Sequence, residues 1–240
     1  MKKKTGVLFD LDGTLADTAP DLAFALNETL RLNGISPLPF EKIRPVVSHG
    51  GIALIKLGFG FGPEAENYDT VRKQLLNIYL DNIARNTRLF PGVETLLDTL
   101  EKCEYPWGVI TNKPGWLTNP LMDALNLTHR AACIVSGDTA AKSKPHPEPM
   151  YYACEQANLV PEDCYYVGDA ERDIAAGRAV GMTTVAALFG YLLEDEDPND
   201  WKADHSINHP LEILELLNLT EFNSLSAPEN LKKNSNGNSK

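Results

Sequence analysis

Five short apolar runs, at residues 6–9, 107–110, 132–135, 165–167 and 183–187, alternate with stretches whose apolar positions recur at helical spacing. Each run is apolar at successive positions and closes on a polar residue or glycine, the mark of a strand buried on both faces of a parallel sheet. The stretches at 93–102, 117–127, 149–158 and 172–180 supply the crossovers. This part of the chain therefore reads as repeated βα units, an α/β fold with a doubly wound, Rossmann-like parallel sheet. Ligands of such sheets bind at the carboxyl ends of the strands.

Nearly one hundred residues separate the first run from the second, far more than one crossover helix requires. Residues 20–33 and 68–84 are amphipathic at helical spacing, with Pro and Gly punctuation between 34 and 63. We expect a helical cap domain at 17–86 inserted into a core made of 1–16 and 87–220. Residues 221–240 are rich in Asn, Ser and Lys, bury too little apolar surface to offset their ordering entropy, and are expected to form a flexible tail.

Composition narrows the function classes. The chain has 240 residues, 43% hydrophobic and 23% charged, which excludes wholesale disorder and a multispanning membrane protein. A formal charge of -11 argues against nucleic acid as partner, because phosphate backbones attract clustered cations. It leaves an anionic small molecule open, since a local metal or cation can invert the sign of a site. After Met1 and three lysines the apolar stretch is broken by Asp10 and Asp12, so no export signal is read there, and four unpatterned cysteines suit reduced thiols. We expect a cytoplasmic protein without a membrane partner. The five histidines show no metal-ligand spacing.

Candidate chemistry gathers at the ends of the apolar runs. Asp10 and Asp12, with Gly13 and Thr14, follow the first run; Thr111 and Asn112 follow the second; Lys144 and Pro145 precede a helix; Gly168, Asp169 and Asp173 follow the fourth. Each has a plainer reading. Asp and Gly are common turn residues, Thr111 and Asn112 could finish and turn a strand, Lys142 could serve in place of Lys144, Asp169 could be a helix N-cap, and Asp173 could be helix surface.

The four motifs in this order resemble the haloacid dehalogenase superfamily, and the likeness spans about residues 5–217. The resemblance implies a phosphatase in which Asp10 is the nucleophile that forms an aspartyl-phosphate and Asp12 the acid and base. Thr111, the Asn112 amide and Lys144 would stabilise the phosphoryl oxygens, while Asp173 orients Lys144 or a metal-bound water. The Asp10 carboxylate, the Asp12 backbone carbonyl and Asp169 would hold the metal. Four carboxylates at one sheet edge would exclude a phosphate dianion unless a cation offsets them, and Mg²⁺ suits all-oxygen ligands. A phosphomutase acting on a hexose phosphate shares the same core motifs. A non-enzymatic phospho-accepting signalling domain also combines Asp, Thr, Lys and Mg²⁺, but needs no cap.

Specificity is expected from the inserted segment. Ser48, His49, Gly50 and Gly51 lie between Pro-rich and helical stretches, where a glycine pair could admit a ligand or simply turn the chain, and Arg44 is a candidate anion contact. The runs at 88–93 and 109–114, Ser48 to Gly51, Phe189-Gly190-Tyr191 continuing to Trp201, and 208–212 resemble phosphoglycolate phosphatases. Among these they look most like the branch that dephosphorylates N-acetylmuramic acid 6-phosphate. The acidic segment 194–200 reads as a solvated connection. Phosphoglycolate needs a tight cationic pocket, and the cap offers only Lys42, Arg44 and Lys56 nearby, which favours the sugar.

Overall fold

The computed structural model describes residues 5–219. The tail expected at 221–240 lies outside the described residues. Six strands form one sheet in the order β5 (Ile134–Val135), β4 (Trp107–Ile110), β1 (Val7–Phe9), β6 (Tyr165–Gly168), β7 (Thr183–Ala187), β8 (His205–Ile207), and every pairing is parallel. Phe9 is in register with Val109 on one side and Val167 on the other. Alternation along β1 sends Val7 and Phe9 into one hydrophobic cluster and Leu8, with Ile110 and Tyr166, into a second. Both faces are thus covered, which explains the unbroken apolar runs.

The crossover helices are α5 (Val93–Lys102), α6 (Gly115–Ala124), α7 (Glu148–Ala157) and α8 (Glu171–Ala179), followed by the short α9 (Glu212–Leu216). All five expected strands form, the third shortened to two residues. β8 was not expected. Only Ile207 of its three residues is buried, so the edge strand carries no apolar run to announce it.

The chain leaves the sheet through β2 (Ala16–Asp17) and returns through β3 (Arg88–Leu89), which pair antiparallel as a two-stranded ribbon. Between them lie α1 (Ala19–Leu32), α2 (Phe40–Ile43), a 3₁₀ helix at Arg44–His49, α3 (Gly50–Phe59) and α4 (Tyr68–Asp81). α1 packs against α4 and α3. The helix α3 falls where only punctuation was read. Gly50, at φ +76°, ends the 3₁₀ helix and the glycine pair opens α3, whose Leu54 and Ile55 are fully buried. Asp21 pins the ribbon from inside: its carboxylate accepts the backbone N–H groups of Asn86 and Thr87 and the Thr87 hydroxyl at 2.8–3.0 Å.

Candidate active site

Parallel packing of β4, β1 and β6 brings three strand ends together. Asp10 follows β1 and donates its backbone N–H to the Val167 carbonyl at 2.9 Å; Thr111 follows β4 and donates its own to Val135 at 2.9 Å. Asp169 follows β6 and is fully buried. The approach of these loops requires glycine. A Cβ on Gly13, at φ +86°, would meet Asp169 Oδ2 at 2.0 Å, and one on Gly168 would meet Asp173 Cβ at 2.4 Å. Asp169 does not cap α8. Ala170 holds the N-cap position, and the Asp173 carboxylate reaches back to its N–H at 3.1 Å.

Lys144 is buried in the middle of the carboxylates and Lys142 is exposed, which separates the two lysines. The Lys144 ammonium lies 3.0 Å from Asp10 Oδ1 and 2.7 Å from Asp173 Oδ1. It donates to the Ile110 carbonyl at 2.6 Å and the Tyr166 hydroxyl at 2.8 Å, and that hydroxyl donates in turn to Ile110 at 2.9 Å. Asn112 fixes the lysine's backbone through a pair of hydrogen bonds at 2.9 and 3.0 Å. Burial alone would raise Asp10, but the charges of Lys144 and Arg172 outweigh it and hold the carboxyl below its ordinary range. Burial and the neighbouring Asp10 and Asp173 charges push Asp169 up to about 8. Burial, with Asp10, also raises Asp173 despite its lysine.

Asp10, Asp169 and Asp173 each offer an oxygen within 4.8 Å of the others. Three carboxylates face the buried Lys144 and the partly buried Arg172, so with all three ionised the cluster is one positive charge short. Asp10 Oδ1 and Asp173 Oδ1 have no donor besides the Lys144 ammonium, which spends two of its three N–H groups on Ile110 and Tyr166 and has one left for the pair. An all-oxygen donor set with buried carboxylate oxygens short of donors fits a hard divalent cation. The Asp12 side chain stands apart from this cluster. Its carboxylate is held by Lys113 Nζ at 2.8 and 3.0 Å and by the Thr18 hydroxyl at 2.6 Å, so only its backbone is left for a metal.

A cavity of about 350 Å³ opens above this floor. Asp10, Asp12, Thr111, Asn112, Lys113 and Arg172 line its base, and Val47 to Ile52 and Leu54, with Arg72, Leu76 and Tyr79, line the wall contributed by the inserted helices. Ser48, His49, Gly50 and Gly51 are therefore brought to the site. Ser48 also donates to Asp169 Oδ2 at 2.5 Å, tying insert to core, and His49 Nε2 lies 3.9 Å from Glu196 Oε2. Glu196 belongs to the segment that the sequence leaves as a solvated connection.

Arg44 does not line the cavity. Its guanidinium lies over the Tyr191 ring at 4.7 Å, donates to the Gly190 carbonyl at 3.3 Å and stands 3.9 Å from Asp17 Oδ2. Lys42 and Lys56 are exposed and away from it as well. The cavity's cations are instead Lys113, Arg172 and Arg72, none of them anticipated, so the preference for a sugar based on cap cations loses its premise. Lys113 follows the Thr111-Asn112 pair directly and Arg172 precedes Asp173, adjacency that could have flagged both. Burial opposes the Lys113 charge, but Asp12 and the Tyr79 phenol outweigh it and raise its pKa.

A family model described as haloacid dehalogenase-like hydrolase matches residues 7–187. An N-acetylmuramic acid 6-phosphate phosphatase of Pseudomonas putida is 39% identical over 211 residues, covering 88% of this chain and 95% of that protein. A phosphoglycolate phosphatase of Xanthomonas campestris pv. campestris is 40% identical over 215 residues, covering 90% and 97%. The crystal structure of a predicted phosphoglycolate phosphatase from Haemophilus somnus superposes with a TM-score of 0.80 at 27% identity, covering 90% of this chain and 99% of that one. Among the described residues no helix is long and apolar enough to cross a membrane.

Proposed function

The chain belongs to the haloacid dehalogenase-like hydrolases, and from that premise we propose that it hydrolyses a small phosphomonoester through an aspartyl-phosphate, with residues 17–86 as the cap that selects the substrate. One observation carries the reading: Asp10, buried with Lys144 at 3.0 Å and Arg172 at 3.9 Å, faces a cavity roofed by the inserted helices. An Asp10 oxygen attacks phosphorus and the ester P–O bond breaks, with Asp12 delivering a proton to the departing alcohol oxygen. Water then attacks the same phosphorus, gives its proton to Asp12, and releases inorganic phosphate while Asp10 regains its carboxylate. Lys113, paired with Asp12 and exposed to the cavity, is the cation for which an entering phosphate competes. Thr111 and Arg172 border the space for the phosphoryl oxygens.

Asp10, Asp169 and the Asp12 backbone carbonyl would hold Mg²⁺. When bound, the ion supplies the positive charge that lets a phosphate dianion approach the carboxylates. The substrate we favour is N-acetylmuramic acid 6-phosphate, because a cavity of about 350 Å³ with Val47, Ile52, Leu54 and Leu76 on its walls suits a sugar, whereas the two-carbon glycolate leaves most of it unfilled. The decisive assay measures phosphate release from N-acetylmuramic acid 6-phosphate, phosphoglycolate and hexose phosphates, with and without Mg²⁺. Isomerisation of a hexose phosphate without free phosphate would replace this reading by a phosphomutase.

A further inference from the structure

The three strong cations lining the cavity are unequal. Lys113 is committed to Asp12 at 2.8 Å, and Arg172 faces Asp10 at 3.9 Å. Arg72 forms no ion pair among the described residues. It projects from the exposed side of α4 into the same cavity that Leu76 and Tyr79 of that helix line deeper down. Tyr79 lies at the foot of the wall, where Lys113 Nζ of the floor sits 4.7 Å from its ring centre. At about 1.5 Å per residue, the Arg72 backbone stands roughly 10 Å farther along the helix than Tyr79. The wall contributed by the inserted helices is largely apolar, with Val47, Ile52, Leu54 and Leu76, and its polar side chains besides Arg72 are Ser48, His49 and Tyr79. The cavity thus has a phosphate end and, across a largely apolar span, a second cationic end.

We infer that Arg72 binds a carboxylate on the leaving group, so that the preferred substrate is a phosphomonoester whose alcohol is itself an acid. This rests on the phosphatase reading above and deepens it. A guanidinium pairs with a carboxylate through two parallel hydrogen bonds, and in a protein of charge -11 an uncommitted one is the feature that draws an anion to the far end of the site. The names of the two similar enzymes agree in this respect: phosphoglycolate and N-acetylmuramic acid 6-phosphate are different molecules that share a phosphate and a carboxylate. The apolar span suits a carboxylate carried across a sugar ring better than one two carbons from the phosphate.

The test compares kcat/KM for N-acetylmuramic acid 6-phosphate with that for N-acetylglucosamine 6-phosphate, the same phosphosugar without the lactyl acid, in wild type, Arg72→Gln and Arg72→Lys. Wild type is expected to favour the acid at least tenfold, equivalent to about 1.4 kcal/mol. Arg72→Gln brings the ratio close to one, chiefly through KM for the acid, and Arg72→Lys keeps part of it. Because each ratio is taken within one protein, a partial loss of folded enzyme cancels. A wild type indifferent to the lactyl group, or an Arg72→Gln variant with the wild-type ratio, overturns the Arg72 assignment while leaving the phosphatase reading in place. A wild type that releases phosphate from neither sugar, nor from phosphoglycolate or p-nitrophenyl phosphate, overturns both.

Discussion

The floor and the roof of the cavity are built on opposite terms. On the floor, Asp10, Asp169, Asp173 and Lys144 are all buried, and each is fixed by two or more partners from different strands or loops. On the roof, Ile52 is 52% exposed and Arg72 is exposed and unpaired, while Val47, Leu54 and Leu76 offer only apolar surface. A floor with no freedom presents preorganised charge to a phosphoryl group, where electrostatic stabilisation is most effective. A loosely committed roof can be altered without touching that chemistry. The division explains how similar chains can act on different phosphate esters.

The largest effect is expected from unbalancing the floor. Chelation by EDTA is expected to abolish phosphate release and Mg²⁺ to restore it, since Lys144 and Arg172 cannot offset both the ionised carboxylates and an incoming dianion. Ca²⁺ is expected to restore it poorly, because its longer bonds and higher coordination number suit a different geometry. Full turnover in chelator would show that the floor needs no added charge.

Removing Lys144 attacks the same balance through stability. Lys144→Met leaves Asp10 and Asp173 buried without their shared cation, a loss of about 3–5 kcal/mol for a broken buried pair. Thermal melting should register it as a fall of about 2–4 °C per kcal/mol. An unshifted midpoint would mean that the carboxylates are not charged together in the folded protein.

On the roof, His49→Ala is expected to change the ratio of kcat/KM between N-acetylmuramic acid 6-phosphate and phosphoglycolate by about two- to twelvefold, the effect of one hydrogen-bonding contact. Equal losses on both substrates would place His49 with the floor instead.

The smallest effect lies far from both. Asp204 accepts from the Thr184 N–H at 2.8 Å and hydroxyl at 2.7 Å, and the backbone bond is the first cause of its lowered pKa. A carboxyl lowered in the folded state adds stability above the unfolded value near pH 3.9 and loses it as pH falls through the lower folded one. Asp204→Asn is therefore expected to melt slightly below wild type at pH 7, by under about 1 kcal/mol for this exposed group. The difference should close between pH 4 and lower values.

The same contrast decides what the sequence reveals. Strand-end residues of the floor are legible because buried parallel strands leave unbroken apolar runs, and whatever follows each run must face the site. The resemblance favours Lys144 over Lys142 because Pro145 follows it, and burial, which needs the fold, separates the two. Arg172 and Lys113 sit beside recognised residues, but whether they turn inward depends on how α8 and the loop after β4 are placed. Arg72 was invisible for a plainer reason. A charge on the outer side of an amphipathic helix reads as solvated surface, and only the docking of the insert over the core makes it a cavity wall. α3 was lost to its opening glycines, and Arg44 was assigned to a substrate when its guanidinium is spent on Tyr191, Gly190 and Asp17.

Chemistry on the floor is expected to run through Asp10. Wild type quenched in acid during turnover with Mg²⁺, then digested and mapped by mass spectrometry, is expected to carry a phosphoryl group on Asp10. Asp10→Asn, folded as judged by its melting curve, should carry none and lose turnover on the order of 10⁴-fold or more, as expected when a nucleophile is removed. A wild type that turns over without that phosphoryl group, or a folded Asp10→Asn variant that keeps releasing phosphate, would contradict it.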